Sequence, residues 1–424
     1  MSRRFMGRLC QLGVIVLLTS TVSAQEKRLW VLRDPGEMVE YDPSTFAEKN
    51  RVKVPPEAFK SPANLEVNRI GQMLLVASLN PTAGDEEASA PHPIWMWNGH
   101  TATRLDQGTE YKTEKRGSNQ AVTQSAPIPE LSADGAHLYW FDNHVRRLDR
   151  DEINLSTTIT WQAWRTDLNG AGREELASVK MPECACATGV CEETCPVGSF
   201  WAPEEGVGKF FLLTQYIAGQ TERTFQSSVL YKEDGGKWTA MPLSKPVEQM
   251  LDASPSADLI VYAIPDAACC GWSNQSNDQT MVLANGKLQT IFDELATYKN
   301  SDYDVSFFTS NAKLSPDGAS LAMTISSTGQ ANKPIQLAED GQANPEESQR
   351  IRKALVNLPA VMVKRIEESS RQIAFLPHAT LVGWLSDKEL LVIEDHVLVI
   401  GNISTGARRR SGVKVEDPSQ VFLR

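Results

Sequence analysis

Long apolar runs are rare in this 424-residue chain, and the longest is too short to cross a membrane. It extends from Leu9 to about Leu18, whereas a membrane-spanning helix needs about 20 apolar residues. Three arginines precede the run, and Val22 and Ala24 supply the small residues of a cleavage site. The pattern predicts a secretory signal peptide over residues 1–24, cleaved near Ala24. We expect an exported protein, periplasmic or extracellular, without a transmembrane segment in the mature chain; the export route stays open.

Basic residues are also in short supply, with 42 Lys and Arg against 53 Asp and Glu. Cleavage after Ala24 lowers the net charge from −11 to −14, because three arginines and no acidic residue are lost. Contacts with phosphates need a basic surface, which this composition does not favour. We therefore expect no nucleic-acid partner.

Catalytic motifs are missing from the sequence. There is no G-x-S-x-G nucleophile motif, no H-E-x-x-H metal motif and no glycine-rich phosphate loop. None of the histidines forms a pair at metal-ligand spacing. They are His92, His100, His137, His144, His378 and His396. The sequence offers no catalytic residue by these criteria, and a non-enzymatic role is favoured.

Cysteine is concentrated in two places. After removal of residues 1–24, six cysteines remain: Cys184, Cys186, Cys191, Cys195, Cys269 and Cys270. The spacing C-x-C-x4-C-x3-C differs from that of zinc sites, and an oxidising compartment favours disulfides. We predict three disulfides, at least one of which joins the first group to the second. A metal cluster is the alternative.

A turn of the type Ser-x-Asp-Gly recurs, each time followed by an alternating apolar strand. The clearest copies are LSADGAHLYWF from Leu131 and LSPDGASLAMT from Leu314. Weaker copies begin at Val67, Trp201, Ala253 and Trp384. The copies are spaced by roughly 50 to 70 residues, enough for four short strands, so the repeat predicts an all-β propeller of four-stranded blades.

The ends of the chain complete the count of blades. The segment that follows residue 24 offers three strands without a preceding turn motif, and DPSQVFLR offers one at the C-terminus. A blade made from both ends closes the ring and removes exposed edges. We predict seven blades, with six as the alternative, in one domain over residues 25–424. A helical insertion is expected near 344–358, with Asn344 as N-cap and Pro345 first in the helix.

The Ser-x-Asp-Gly turns with their strands resemble the TolB-type, WD40-like propeller repeat of exported bacterial proteins. The same repeat occurs in the non-catalytic propellers of prolyl-oligopeptidase relatives. The resemblance rests on short motifs between residues 65 and 395, and it implies a propeller scaffold with a binding role. The cysteine segment has no counterpart in that repeat.

Two polar segments, 266–280 and 298–308, connect predicted strands and are expected on one rim of the propeller. The candidate ligand-binding residues in them are Trp272, Asn274, Asn277, Asp278, Asp302, Tyr303 and Asp304. The Asn and Asp oxygens are of the kind that Ca²⁺ prefers, and the aromatic rings suit sugars or peptides. The alternative is that Asn, Asp and Ser only form turns.

These observations favour an exported, non-enzymatic propeller that binds a protein, peptide or glycan through one rim. Two alternatives stay open. One is a propeller hydrolase or lyase that uses the acidic rim residues as an acid/base pair. The other is a structural component of the cell envelope.

Overall fold

The described strands of this chain form seven antiparallel sheets in a computed structural model. The structure describes residues 27–33, 36–53, 63–67, 73–77, 94–97, 102–105, 110–116, 119–125, 127–132, 136–149, 154–180, 184–187, 196–201, 210–218, 223–234, 237–247, 249–254, 258–264, 279–284, 287–293, 303–337, 341–367 and 371–423. The predicted signal peptide, 1–24, lies outside these ranges. No helix in the described ranges is long and apolar enough to cross a membrane.

Each sheet is one blade of a β-propeller, and its strands are given from the inside outwards. Blade 1 consists of β31 (Val421–Leu423), β1 (Leu29–Arg33), β2 (Glu37–Tyr41) and β3 (Glu48–Lys53). Blade 2 consists of β4 (Ala63–Val67), β5 (Met73–Ala77), β6 (Ile94–Trp97) and β7 (Ala102–Leu105). Blade 3 consists of β10 (Ile128–Leu131), β11 (His137–Asp149), β12 (Asn154–Asp167) and β13 (Glu174–Lys180). Blade 4 consists of β15 (Pro196–Trp201), β16 (Phe210–Ala218), β17 (Arg223–Asp234) and β18 (Lys237–Pro242).

The last three blades follow the same order. Blade 5 consists of β19 (Gln249–Ala253), β20 (Leu259–Ile264), β21 (Gln279–Ala284) and β22 (Lys287–Asp293). Blade 6 consists of β23 (Phe307–Leu314), β24 (Ser320–Ser327), β25 (Ala360–Arg365) and β26 (Gln372–Pro377). Blade 7 consists of β27 (Ala379–Ser386), β28 (Glu389–Glu394), β29 (Val397–Asn402) and β30 (Arg408–Lys414). Three further strands, β8 (Glu110–Arg116), β9 (Asn119–Ser125) and β14 (Cys184–Ala187), join the sheet of blade 3, and the helix α1 (Pro345–Val356) lies between β24 and β25.

Apolar side chains from neighbouring blades form the core between them. Blades 5 and 6, for example, share a cluster that includes Val261 and Phe292 from one and Leu321 and Met323 from the other. Similar clusters join blades 2 and 3, 3 and 4, 4 and 5, 6 and 7, and 7 and 1. The middle strands are therefore covered on both sides, which explains why runs such as LIVYAI (259–264) are continuously apolar instead of alternating.

The recurring serine of the turn motif makes the same contacts in three blades. In blade 6 the Ser315 N–H donates to the Ser320 carbonyl oxygen (2.9 Å), and the Ser315 Oγ accepts from the Ser320 N–H (2.9 Å). Ser132 and Ser254 hold the first residue of β11 and β20 in the same way. Gly318 has φ +68°, the conformation for which glycine is suited. The serine thus fixes the start of the second strand of a blade.

Strands from both ends of the chain form one blade together. β31 pairs antiparallel with β1, with Trp30 opposite Phe422. The inner strands β19, β23, β27 and β31 contact one another in sequence around the ring. The predicted all-β propeller is confirmed, and the described strands form seven sheets, one of which combines three N-terminal strands with one C-terminal strand.

Candidate functional site

The two faces of the propeller differ in how the chain connects its strands. Strand direction alternates within a blade. The connection from the first to the second strand and the connection from the third to the fourth strand therefore lie on the same face, here called the turn face. The remaining connections lie on the opposite face, here called the loop face. Hydrogen bonds between connections agree with this assignment: the Asp317 N–H reaches the Asp387 Oδ1 (2.9 Å) on the turn face, and the His378 N–H reaches the Asn357 oxygen (3.1 Å) on the loop face.

The long connections of the chain are concentrated on the loop face. On the turn face the longest connection is 202–209. The loop face carries the connections 78–93, 106–127, 181–195, 265–278, 294–306 and 328–359. Because binding residues are usually carried by loops on a rigid scaffold, the loop face is the candidate functional site.

On the loop face the sheet of blade 3 is extended by three further strands. Its middle strands continue past the blade, and there residues 145–149 of β11 pair with β9 while residues 154–157 of β12 pair with β14. β8 pairs with the other side of β9. We call these five strand segments the satellite sheet. The satellite sheet was not predicted, because the turn motif marks only the four strands of each blade.

The helix α1 is anchored to the loop face at its first turn. The Asn344 Oδ1 accepts hydrogen bonds from the N–H groups of Glu346 (3.1 Å) and Glu347 (3.3 Å), and Pro345 begins the helix. These contacts satisfy two of the free N–H groups at the helix start. On its inner side Ile351 and Leu355 are buried.

Tyr303 holds the segment that leads into α1. Its side chain is 7% exposed and packs with Val305, Phe307, Ile351 and Leu355. Its hydroxyl group contacts both backbone polar groups of Asn344. The ring that the sequence analysis assigned to ligand stacking is therefore part of a core, and Tyr303 positions α1 instead of presenting a flat surface.

The other predicted ligand-binding residues are not brought together with Tyr303 in the part of the chain that is described. Asp304 is exposed, and its N–H donates to the Gln336 oxygen (3.0 Å). Trp272, Asn274, Asn277, Asp278 and Asp302 lie outside the described residues. Within the described ranges no group of three His, Cys, Asp or Glu side chains is arranged to hold a metal ion. A Ca²⁺ site at the undescribed residues stays a prediction.

Two of the six cysteines lie in the described part of the chain. Cys184 and Cys186 occupy alternate positions of β14, which places them on one face of that strand. Cys191, Cys195, Cys269 and Cys270 lie outside the described residues. The predicted disulfides, and the alternative of a metal cluster, are therefore still predictions.

Three residues other than glycine adopt left-handed backbone conformations where blade 7 meets the loop face. They are His378 (φ 56°), Asp395 (φ 48°) and His396 (φ 61°). All three side chains are exposed, and the His396 carbonyl oxygen accepts from the Val415 N–H (2.9 Å). Two-residue hairpins of this geometry usually contain Asn-Gly, so Asp395-His396 is a costly choice. A short turn without glycine is the feature of the sequence that could have indicated these left-handed conformations.

The arginine run of β30 is engaged within the protein. Arg408 pairs with the buried Glu394 (3.0 Å), and Arg410 pairs with the exposed Asp395 (3.3 Å). The Arg409 guanidinium lies 5.9 Å from the centre of the Phe46 ring. In the connection from β30 to β31, hydrogen bonds from Ser419 lower the pKa of Asp417. The run is therefore part of the outer surface of blade 7 and not a separate anion site.

Comparisons with known proteins do not identify a family. No family model matches the chain, and no curated protein matches it. Among solved structures, AztD of Citrobacter koseri is 11% identical, with a TM-score of 0.43 over 94% of this chain and 97% of that one. The propeller domain of the trilobed protease of Pyrococcus furiosus is 12% identical (TM-score 0.39; 90% and 88%), and TolB of Acinetobacter baumannii is 12% identical (TM-score 0.29; 94% and 82%). TolB-type propellers are among the solved structures to which this chain is similar.

Proposed function

We propose that this protein is an exported, non-enzymatic β-propeller that binds a protein, peptide or glycan partner through its loop face. The observation that carries the proposal is that the six longest connections all join strand ends on the loop face. A rigid ring with elaborated loops on one side is a common arrangement for recognition. Export rests on the predicted signal peptide.

The helix α1 is the best-defined contact element of the loop face. Gln349, Arg352, Lys353 and Val356 are exposed at helical spacing, on the side opposite the buried Ile351. Val356 is 58% exposed, and Leu337 in the same connection is 43% exposed. An apolar side chain beside two cations, on a chain of net charge −11, fits a partner surface that is apolar with an acidic border.

The test is to reverse charges on each face in matched pairs. In the loop-face variant Arg352→Glu and Lys353→Glu are combined; in the turn-face variant Lys287→Glu and Lys388→Glu are combined. Both variants change the net charge equally, at exposed positions. Chemical cross-linking in the cell envelope, followed by mass spectrometry, identifies the partners of each.

We expect a partner that cross-links to the wild type and to the turn-face variant and is lost from the loop-face variant. Equal loss from both variants would mean that the net charge, and not the loop face, attracts the partner. If neither variant loses the partner, α1 is not a contact element.

A further inference from the structure

Among the described strands, β8 is the last strand at one edge of the satellite sheet. Within the described residues it pairs only with β9, in register from Glu110 opposite Ser125 to Arg116 opposite Asn119. At its centre Lys112, Thr113 and Glu114 are exposed. An edge strand presents a row of backbone N–H and C=O groups to which another strand can add.

The charges along β8 are complementary to themselves. Positions 110, 112, 114 and 116 share one face of the strand and read Glu, Lys, Glu, Arg. An antiparallel copy of β8, related by a two-fold axis at Thr113, sets position 110 opposite 116 and position 112 opposite 114. Every cross-strand pair on that face then joins opposite charges, and the symmetry supplies each pair twice.

We propose that two copies of this chain associate by antiparallel pairing of β8 with β8, centred on Thr113. The interface is isologous, as in most protein dimers, and it extends the satellite sheet of one copy into that of the other. It uses an edge of the satellite sheet and not α1, so it is independent of the partner proposed above.

The charge order favours pairing over protection of the edge. Natural edges are often protected by charged side chains, Lys above all. The outer strand β30 has that character: a two-fold axis at Ser411 would set Arg408 opposite Lys414, two cations. In β8, by contrast, the Lys112 Nζ already lies 2.6 Å from the Glu114 Oε1 of the same strand. Exchange of this exposed ion pair for symmetric cross-strand pairs costs little, because such single surface pairs are weak.

The experiment measures the dimer dissociation constant of the purified chain by sedimentation equilibrium. Lys112→Glu creates two like-charge pairs by symmetry, and we expect it to raise the dissociation constant about tenfold. The double variant Lys112→Glu with Glu114→Lys restores opposite charges and should return the constant to near the wild-type value. Lys115→Glu is the control, since position 115 faces Tyr111 in the proposed register and the charge change is the same as in Lys112→Glu.

Three results would overturn the proposal. If the wild-type chain is monomeric at every concentration, the charges of β8 protect the edge against pairing and the proposal is wrong. A double variant as weak as Lys112→Glu excludes the pairing of positions 112 and 114. An effect of Lys115→Glu equal to that of Lys112→Glu reduces the association to general electrostatics. Far-UV circular dichroism of each variant checks that the strands are retained.

Discussion

Tyr303 and Asn344 are joined by a reciprocal pair of hydrogen bonds: the Tyr303 hydroxyl donates to the Asn344 carbonyl oxygen (2.7 Å) and accepts from the Asn344 N–H (3.0 Å). The same asparagine caps α1 with its side chain. One phenol therefore fixes the backbone at the residue where the helix begins. This contact connects the end of the connection 294–306 to the start of the helix on the loop face.

Tyr303→Phe should loosen α1 without disturbing the core around it. The ring stays in place, but the Asn344 N–H loses the hydroxyl acceptor, while the Asn344 carbonyl oxygen keeps the Ser348 N–H (2.9 Å), so we expect a cost of about 1–2 kcal/mol. We expect faster hydrogen exchange in α1 and a smaller effect on the strands of blade 6. Asn344→Ala is the companion variant, because it removes only the side-chain cap and should cost about 1 kcal/mol. Unchanged exchange in α1 for Tyr303→Phe would show that the helix does not depend on this contact.

Substitutions at three glycines distinguish the free-energy cost of a left-handed backbone from the cost of steric crowding. The glycines are Gly318, Gly406 and Gly412. Gly318 and Gly406 have φ of +68° and +72°, and Gly412 has no positive φ. A Cβ at Gly318 would lie 2.9 Å from the Leu259 Cδ1, whereas the other two sites are open. For substitution by alanine we expect losses in unfolding free energy of about 2 kcal/mol at 318, about 1 kcal/mol at 406 and none at 412. Urea denaturation measures all three, and equal losses at 318 and 412 would contradict the assigned turn geometry.

Asp317 should make the stability of the turn motif depend on pH. Partial burial acts to raise the pKa of Asp317, but hydrogen bonds from the Ser315 hydroxyl (2.6 Å) and the Ala319 N–H (3.0 Å) outweigh it and lower the pKa. A lowered pKa in the folded state means that the stabilisation is complete above the pKa of the unfolded chain and is lost as pH falls through the folded value. Asp317→Ala should therefore cost about 1 kcal/mol at pH 7 and progressively less below about pH 4.

The control for Asp317 is Asp258, an exposed residue of the corresponding turn in blade 5. Its only described ion pair, with Lys232, is long, at 3.9 Å. Asp258→Ala should change stability by less than about 0.5 kcal/mol at either pH. A pH dependence that is the same in both variants would assign the effect to net charge instead of to the turn.

The repeat of the turn motif was the part of the fold that local sequence could predict. Ser132, Ser254 and Ser315 form their contacts within five residues along the chain, so the motif and its structure coincide. The role of Tyr303 could not be predicted in this way, since its partner Asn344 is 41 residues distant. A tyrosine in a polar segment has the same local sequence whether its ring is offered to a ligand or buried under a helix.

The satellite sheet escaped prediction for a related reason. β11 and β12 are long strands, and the two halves of each pair with different neighbours. Within the blade β11 pairs with β10 and β12 pairs with β13, whereas beyond the blade β11 pairs with β9 and β12 pairs with β14. Nothing in the alternation of a strand marks the point at which its partner changes. The register is decided by contacts between segments distant in sequence.

Removal of residues 421–424 should destabilise the whole ring. β31 pairs with β1, and Phe422 is 9% exposed. Without β31, blade 1 lacks its inner strand, and apolar surface next to blade 7 becomes exposed, so we expect a loss of at least about 3 kcal/mol in urea denaturation. Removal of Arg424 alone is the control and should have no effect. If the two truncations are equally stable, the terminal strand does not close the ring.

His396→Gly should stabilise the protein. The residue has φ +61° in the hairpin between β28 and β29, a conformation that costs most residues about 1 kcal/mol or more and costs glycine nothing. The backbone hydrogen bond to Val415 is kept. We expect a gain of about 0.5–1 kcal/mol in unfolding free energy for glycine and no gain for His396→Ala, which removes the imidazole but keeps the strain. If the imidazole contacts the partner on the loop face, both variants lose binding, but only His396→Gly gains stability. A loss of stability in His396→Gly would show that the contacts of the side chain outweigh the backbone strain at this turn.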